Sequence, residues 1–289
     1  MNNMSLNELL STLSNFEHLE YADYLEMGQE QLYFVLHPTL LPLRSRVILA
    51  GPFASERPHR YISWVRWARF LASHGYEVMR FDYRGVGEST GQFENFGFRN
   101  WLDDLDFCAN WLNKHAPSAP LVIHGLGMGA LLGQRLFEQG TGNALLSWLP
   151  PKSAREMLYE QLKIKLANNF ILPSNERKTR DQFVADLENG IVVEVEGHNW
   201  TQQLWTESAE FEFNDVLKPE RNLDRIIRPH HVEQLDALAA HTFGGVGPNP
   251  LRMSGSGKPV MRLINPDLTI CFDAAIGWME EVLPLLKAS

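Results

Sequence analysis

Apolar residues recur along this chain in two rhythms. Compact runs such as Leu32-Tyr33-Phe34-Val35-Leu36, Val47-Ile48-Leu49-Ala50, Glu77-Val78-Met79-Arg80-Phe81 and Leu121-Val122-Ile123 read as strands. The second is almost wholly apolar, as a strand buried on both faces of a parallel sheet must be. Between the runs, apolar positions return at helical spacing: Ile62, Val65, Phe70 and Leu71 ahead of Gly75, then Trp101, Leu105, Cys108, Ala109 and Leu112 ahead of Pro120. Strand and helix in alternation predict an α/β fold with a mainly parallel, doubly wound sheet.

Past residue 150 the alternation breaks. Ser153-Ala154-Arg155-Glu156 and Thr179-Arg180-Asp181-Gln182 have the spacing of capping boxes, predicting one helix that runs on to Pro173 and another that ends at Gly190. Val192 to Val195 is strand-like, and Asn199 is placed to cap a helix through Leu204. Ser5 and Glu8 predict a further helix over residues 5–14. No period emerges from 211 to 257, after which Pro259 to Ile264 reads as a last strand and Ala274 to Leu286 as a closing helix. The expected organisation is an N-terminal part of the core over 1–150, a helical lid insertion over 151–210 and a C-terminal part of the core over 211–289.

The chemistry centres on Gly125-Leu126-Gly127-Met128-Gly129-Ala130, where a strand turns into an apolar helix. Close packing alone would call for glycines here. A dinucleotide fingerprint also fits the spacing, but it needs an acid about 20 residues on, and Leu145 to Pro151 supplies none. The third reading is a nucleophile elbow, G-x-S-x-G, with Gly127 where the serine would stand. Upstream, Gly51-Pro52-Phe53-Ala54-Ser55-Glu56 follows one strand and Asp82-Tyr83-Arg84-Gly85-Val86-Gly87-Glu88-Ser89-Thr90-Gly91 follows the next. With these three segments the chain resembles the α/β hydrolases, in particular the serine-aminopeptidase-like branch and the hydrolase-like proteins associated with the exosortase A system. The likeness is good over residues 45–135 and extends beyond them only in general layout. It implies an α/β-hydrolase fold with a helical lid, and an accessory role near exopolysaccharide or surface-protein biosynthesis.

For acyl transfer that fold needs a nucleophile, an acid and a histidine before the final helix. Gly127 has no side chain, and Asn265-Pro266-Asp267-Leu268-Thr269 has no histidine. No catalytic residue is therefore expected. His198, His230, His231 and His241 are read as surface or lid residues, and Cys108 and Cys271 as inert thiols. By analogy with an oxyanion hole, the N–H groups of Met128 and Phe53 are expected to bind a ligand beside Gly127. Glu56, Arg60, Asp82 and Arg84 are expected to brace the loops. The favoured reading is a pseudohydrolase that binds a small acyl or anionic ligand. An active esterase, thioesterase or peptidase carrying glycine at 127 is the alternative, disfavoured because one replacement would leave the histidine in place; a structural or oligomerising module is the other.

Charge narrows the partners. A formal net charge of −9 leaves no basic surface for nucleic acid. No run approaches a membrane span, the first residues lack the basic and apolar regions of a signal peptide, and two cysteines give no disulfide framework. A cytoplasmic protein is expected, without metal or cofactor, with a protein partner or self-association left open.

Overall fold

The computed structural model describes residues 19–115, 117–169, 173, 177–214 and 269–286. Strands β1 (Tyr21–Met27), β2 (Glu30–His37), β3 (Ser45–Ala50), β4 (Tyr76–Phe81), β5 (Leu121–Leu126) and β6 (Ala144–Trp148) form one sheet in the order β1-β2-β4-β3-β5-β6. The four strands β4, β3, β5 and β6 are parallel, and β1 and β2 join as an antiparallel hairpin at one edge. Helices cover both faces. On one lie α1 (Arg57–Ala72) and α7 (Thr269–Leu286); on the other lie α2 (Phe98–His115) and α3 (Met128–Gln139). All six residues of β3 are buried, with Val47 and Leu49 facing the α1 side and Ile48 and Ala50 the α2 side. That two-sided burial is why the strand reads as an unbroken apolar run.

Beyond β6, helices α4 (Ala154–Asn169), α5 (Arg180–Glu188) and α6 (Gln202–Glu207) are interleaved with a small hairpin, β7 (Val193–Val195) and β8 (His198–Trp200). Ser153 Oγ accepts the Glu156 N–H, and Thr179 and Gln182 form a complete reciprocal capping box. Asn199 caps nothing. It lies in β8 with its amide on Glu94, and the cap of α6 is Thr201, whose hydroxyl accepts the Leu204 N–H. The two ends of the segment lie side by side, since Ala154 N–H donates to Phe211 O and Phe213 N–H to Lys152 O. Leu158, Leu162, Leu187, Val195, Trp200 and Leu204 share one core with Phe53, Trp101, Met128 and Leu131. The segment thus packs on the face of the sheet that carries α3. Helix α7 begins at Thr269, before the expected Ala274. The expected helix over 5–14, the last strand at 259–264, and His230, His231 and His241 lie outside the described residues.

One buried base on β5 makes the fold sensitive to acid. His124 is fully buried among Trp64, Trp67 and Trp148, with Nδ1 2.9 Å from Leu146 O. Burial, partly offset by that carbonyl, drives its pKa down to about 3. In the unfolded chain the value is about 6.5. The stability from keeping His124 neutral is therefore complete above pH 6.5 and is lost as pH falls toward 3. In denaturant titrations, the stability of the parent should fall relative to His124→Leu by up to about 1.4 kcal/mol per pH unit across that window. Parallel pH profiles for the two proteins would contradict this assignment.

Candidate functional site

The site is built where three strands end. Residues Ala50 of β3 and Gly125 of β5 are paired in register, so the segments that continue them, Gly51-Pro52-Phe53 and Leu126-Gly127-Met128, run side by side. At the turn from β5 into α3, Gly127 has φ 58° and ψ −121°, a conformation almost confined to glycine. Its N–H donates to Trp148 O at 2.9 Å, and its carbonyl accepts the Ala130 N–H at 3.0 Å. Met128 opens α3, so its N–H belongs to the first turn, whose donors have no acceptor within the helix. Phe53 is buried, its ring meeting Phe93, Trp101 and Trp200 edge to face at centroid distances of 6.1, 5.9 and 5.9 Å. Its carbonyl accepts the N–H groups of Glu56 and Arg57 and so shapes the turn into α1.

The outer glycines are fixed by contact. A Cβ on Gly125 would lie 2.3 Å from Gly129 O, and one on Gly129 would lie 2.0 Å from Ala50 O. Gly127 differs. A Cβ there would meet Glu56 Oε2 at 3.2 Å, with Pro52 Cβ next at 3.8 Å. The space that a side chain at 127 would enter thus has a carboxylate on its far wall.

That carboxylate is held from the next layer. Gln161 of α4 reaches Glu56 Oε1 with its amide nitrogen at 3.5 Å, while its own oxygen accepts the Ser55 hydroxyl at 3.0 Å. The Ser55 bond orients the amide so that its donor faces Glu56. Arg60, one turn along α1, carries the neighbouring charge: burial lowers its pKa, and the Glu56 carboxylate works against that shift. Gln161 and Ser55 had no signal in the sequence, because the partners lie 106 positions apart. Glu56 and Arg60 stand four apart on one helix face, a pairing visible in the sequence.

Asp82 and Arg84 stand at the next strand end. Asp82 receives Nε and Nη2 of Arg57 at 2.9 and 2.6 Å and also the Glu88 N–H at 3.0 Å. Arg84 donates from Nε to Asp104 at 2.5 Å and from Nη2 to Asn100 O at 3.0 Å. A narrow cleft runs from Gly51 and Pro52 past Arg60, Tyr61 and Trp64 to Tyr83 and Val86. Pro52 borders both this cleft and the space above Gly127. His198, in the β7–β8 hairpin, meets the Phe93 ring edge to face at a centroid distance of 4.7 Å. Cys108 is enclosed in the core, where burial and the nearby Asp104 push its thiol well up, so it is not a nucleophile at neutral pH. Among the described residues no cluster of His, Cys, Asp and Glu could hold a metal, and no helix is long and apolar enough to cross a membrane.

Residues 47–145 match the family model of the serine aminopeptidases, S33. The lysophosphatidylserine lipase ABHD12 of Danio rerio is 34% identical over 125 residues, which is 42% of this chain and 30% of that protein. The chain therefore spans less than a third of that relative's length. Among solved structures, XC6422 from Xanthomonas campestris, an α/β serine hydrolase without a lid, is 25% identical with a TM-score of 0.41, over 46% of this chain and 62% of that one. Alpha/beta hydrolase domain-containing protein 10 from mouse is 17% identical with a TM-score of 0.45, over 66% of this chain and 70% of that one.

Proposed function

We propose that this protein, whose residues 47–145 match the family model of the serine aminopeptidases, S33, keeps the hydrolase elbow as a carbonyl-binding site and forms no serine acyl-enzyme. The observation that carries the reading is Gly127: it holds the positive-φ turn between β5 and α3 and offers no side chain to the space it faces. In this reading Met128 and Phe53 N–H groups receive the ligand's carbonyl oxygen, aided by the positive end of α3. The remainder of the ligand lies toward Tyr61, Trp64, Tyr83 and Val86, and α4 acts as the lid, fixed to the loop through Gln161.

Glu56 narrows the ligand. A carboxylate 3.2 Å from the vacant position repels a second anion brought beside it. Neutral acyl compounds, amides and esters, are preferred over free acids. Such a binding protein fits the accessory role near exopolysaccharide or surface-protein biosynthesis implied by the resemblance to the exosortase-associated branch.

Butyramide should raise the melting temperature of the parent protein and butyrate should raise it less, since a ligand that prefers the folded state stabilises it. Gly127→Phe should abolish the butyramide shift while leaving the circular dichroism spectrum that of a folded α/β protein. A fluorophosphonate probe directed at activated serine should leave the parent unlabelled. Labelling, or an equal shift in the phenylalanine variant, would sink the reading.

A further inference from the structure

We propose that the cleft between α1 and the end of β4 binds an oxyanion, a carboxylate or phosphate that the ligand carries at the end remote from its carbonyl, and that Arg80 receives it. The proposal rests on the carbonyl-binding reading above, in which the remainder of the ligand enters this cleft, and names what that remainder bears. Three guanidiniums, those of Arg57, Arg60 and Arg80, line the cleft, and Asp82 lines it with them. Arg57 donates to Asp82 from Nε and Nη2, and the charge of Arg60 stands beside Glu56. Arg80 is different. Like Val78 two positions earlier, it points to the α1 side of the sheet. Its bonds go to neutral groups: Nε donates to His37 Nε2 at 3.1 Å, and Nη1 to the Tyr61 hydroxyl at 3.3 Å. An imidazole nitrogen that accepts carries no proton, so His37 adds no charge there. Glu20, whose charge reaches Arg80, makes its own ion pair with Arg69. Among the described residues Arg80 forms no ion pair with a carboxylate, which leaves the cleft one positive charge in excess.

The geometry suits an oxyanion. The Tyr61 ring steadies two of the guanidiniums, with Arg57 Cζ 5.1 Å and Arg80 Cζ 5.3 Å from its centroid. Because the Tyr61 oxygen accepts from Arg80, its own O–H is a further donor, and Nη2 of Arg80 keeps both hydrogens for a ligand. The planar fork of a guanidinium matches two oxygens of a carboxylate or phosphate. Side chains fixed in advance lose little freedom when the anion arrives, so more of the attraction appears as affinity. Apolar walls from Trp64, Phe81 and Val86 strengthen the field felt there. The two ends of the ligand are then sorted by charge. The Glu56 carboxylate disfavours an anion at the elbow, and Arg80 favours one away from it.

The test is calorimetric titration of the whole chain with two monoamides, glutaramate and adipamate, each set against the neutral diamide of the same length. Glutaramate is butyramide with a carboxylate on its last carbon. The parent should bind at least one monoamide about tenfold more tightly than its diamide, the scale of one hydrogen bond to a charged group. That advantage should shrink between about 0.02 and 0.5 M NaCl as salt screens the charges. Arg80→Gln should abolish the advantage while leaving the diamide affinity and the butyramide melting shift at parental values. Arg80→Lys, which serves if the glutamine variant fails to fold, keeps the charge but loses the fork and should retain only part of the advantage. Inorganic phosphate or acetate should displace the monoamide from the parent without displacing butyramide, and the better competitor identifies the oxyanion. Equal affinities of monoamides and diamides in the parent, an advantage unchanged in both Arg80 variants, or displacement by neither anion would overturn the proposal. A butyramide shift without the monoamide advantage removes this inference alone, whereas the absence of any butyramide shift removes the carbonyl-binding reading and this inference with it.

Discussion

Gly129→Ala will fail to give a folded protein at ordinary temperature. A Cβ at this position would lie 2.0 Å from Ala50 O and 2.5 Å from both Ala50 C and Gly51 O. These are backbone atoms of β3 and of the loop that shapes the site, so no side-chain rotation relieves the clash. Either α3 lifts from the sheet or the loop of residues 51–53 moves away from Met128. Overpacking by one methyl group ordinarily costs about 1–3 kcal/mol. Here the obstruction is rigid on both sides, and a cost above about 4 kcal/mol is expected, a large share of the 5–15 kcal/mol that typically holds a domain together. Gly133→Ala on the same helix is the control. Its Cβ would meet Ile123 Cγ2 at 3.0 Å and Leu145 Cδ1 at 3.5 Å, both side-chain atoms able to yield. Thermal melts followed by circular dichroism should show Gly133→Ala close to the parent and Gly129→Ala insoluble or unfolded. A Gly129→Ala protein that melts within a few degrees of the parent would show that the strand and helix do not meet as described.

Asp104→Ala should be nearly as damaging, for an electrostatic reason. The Asp104 side chain is fully buried, and it accepts both the backbone N–H of Arg84 at 2.9 Å and its Nε at 2.5 Å. Removing the carboxylate strands a guanidinium whose own side chain is only 13% exposed, and it releases the loop that follows β4. Breaking a buried pair by deleting one partner costs about 3–5 kcal/mol. The penalty also depends on pH. Burial raises the Asp104 pKa to about 6 against the opposing pull of Arg84, compared with about 3.9 in an unfolded chain. With the folded value above the unfolded one, that linkage favours the folded state most below about pH 4, and the favour is lost as pH rises through 6. The difference in unfolding free energy between parent and Asp104→Ala should accordingly be larger at pH 4 than at pH 7. A pH-independent difference, or one below about 1 kcal/mol, would mean that solvent reaches the pair.

Both predictions concern residues whose importance came to light differently. Gly129 stood in a motif whose spacing could be read along the chain, because an elbow is a local object: a strand, one turn and a helix within a few residues. The same locality made β2 to β5 legible as apolar runs, and the caps at Ser153 and Thr179 legible from a four-residue spacing. Strand β1 was not legible. Residues 21–27 have only exposed and half-buried side chains, since β1 is the sheet edge and pairs with β2 alone, so neither an apolar run nor a clean alternation marks it. The cap of α6 was misplaced from Thr201 to Asn199 for a related reason. Both residue types can cap, and the choice was made by β8, which holds Asn199 in the hairpin and its amide on Glu94.

What the sequence determined by itself is therefore the alternation of strands and helices from β2 to α3, the mainly parallel architecture and the glycine at the turn of the elbow, all of which follow from side-chain periodicity and backbone freedom over short stretches. Tertiary structure alone decided what surrounds that glycine. The direction of the Glu56 side chain depends on Gln161 and Ser55, which meet only when α4 folds back over the loop after β3. Likewise Arg57 finds Asp82 across 25 positions, as the ends of β3 and β4 are brought level in the sheet, and Arg84 finds Asp104 across 20, as α2 packs beside the loop after β4. A carboxylate in a sequence has no direction. Its role is set by the few ångströms that separate it from groups distant in the chain, and those distances exist only after the layers have packed.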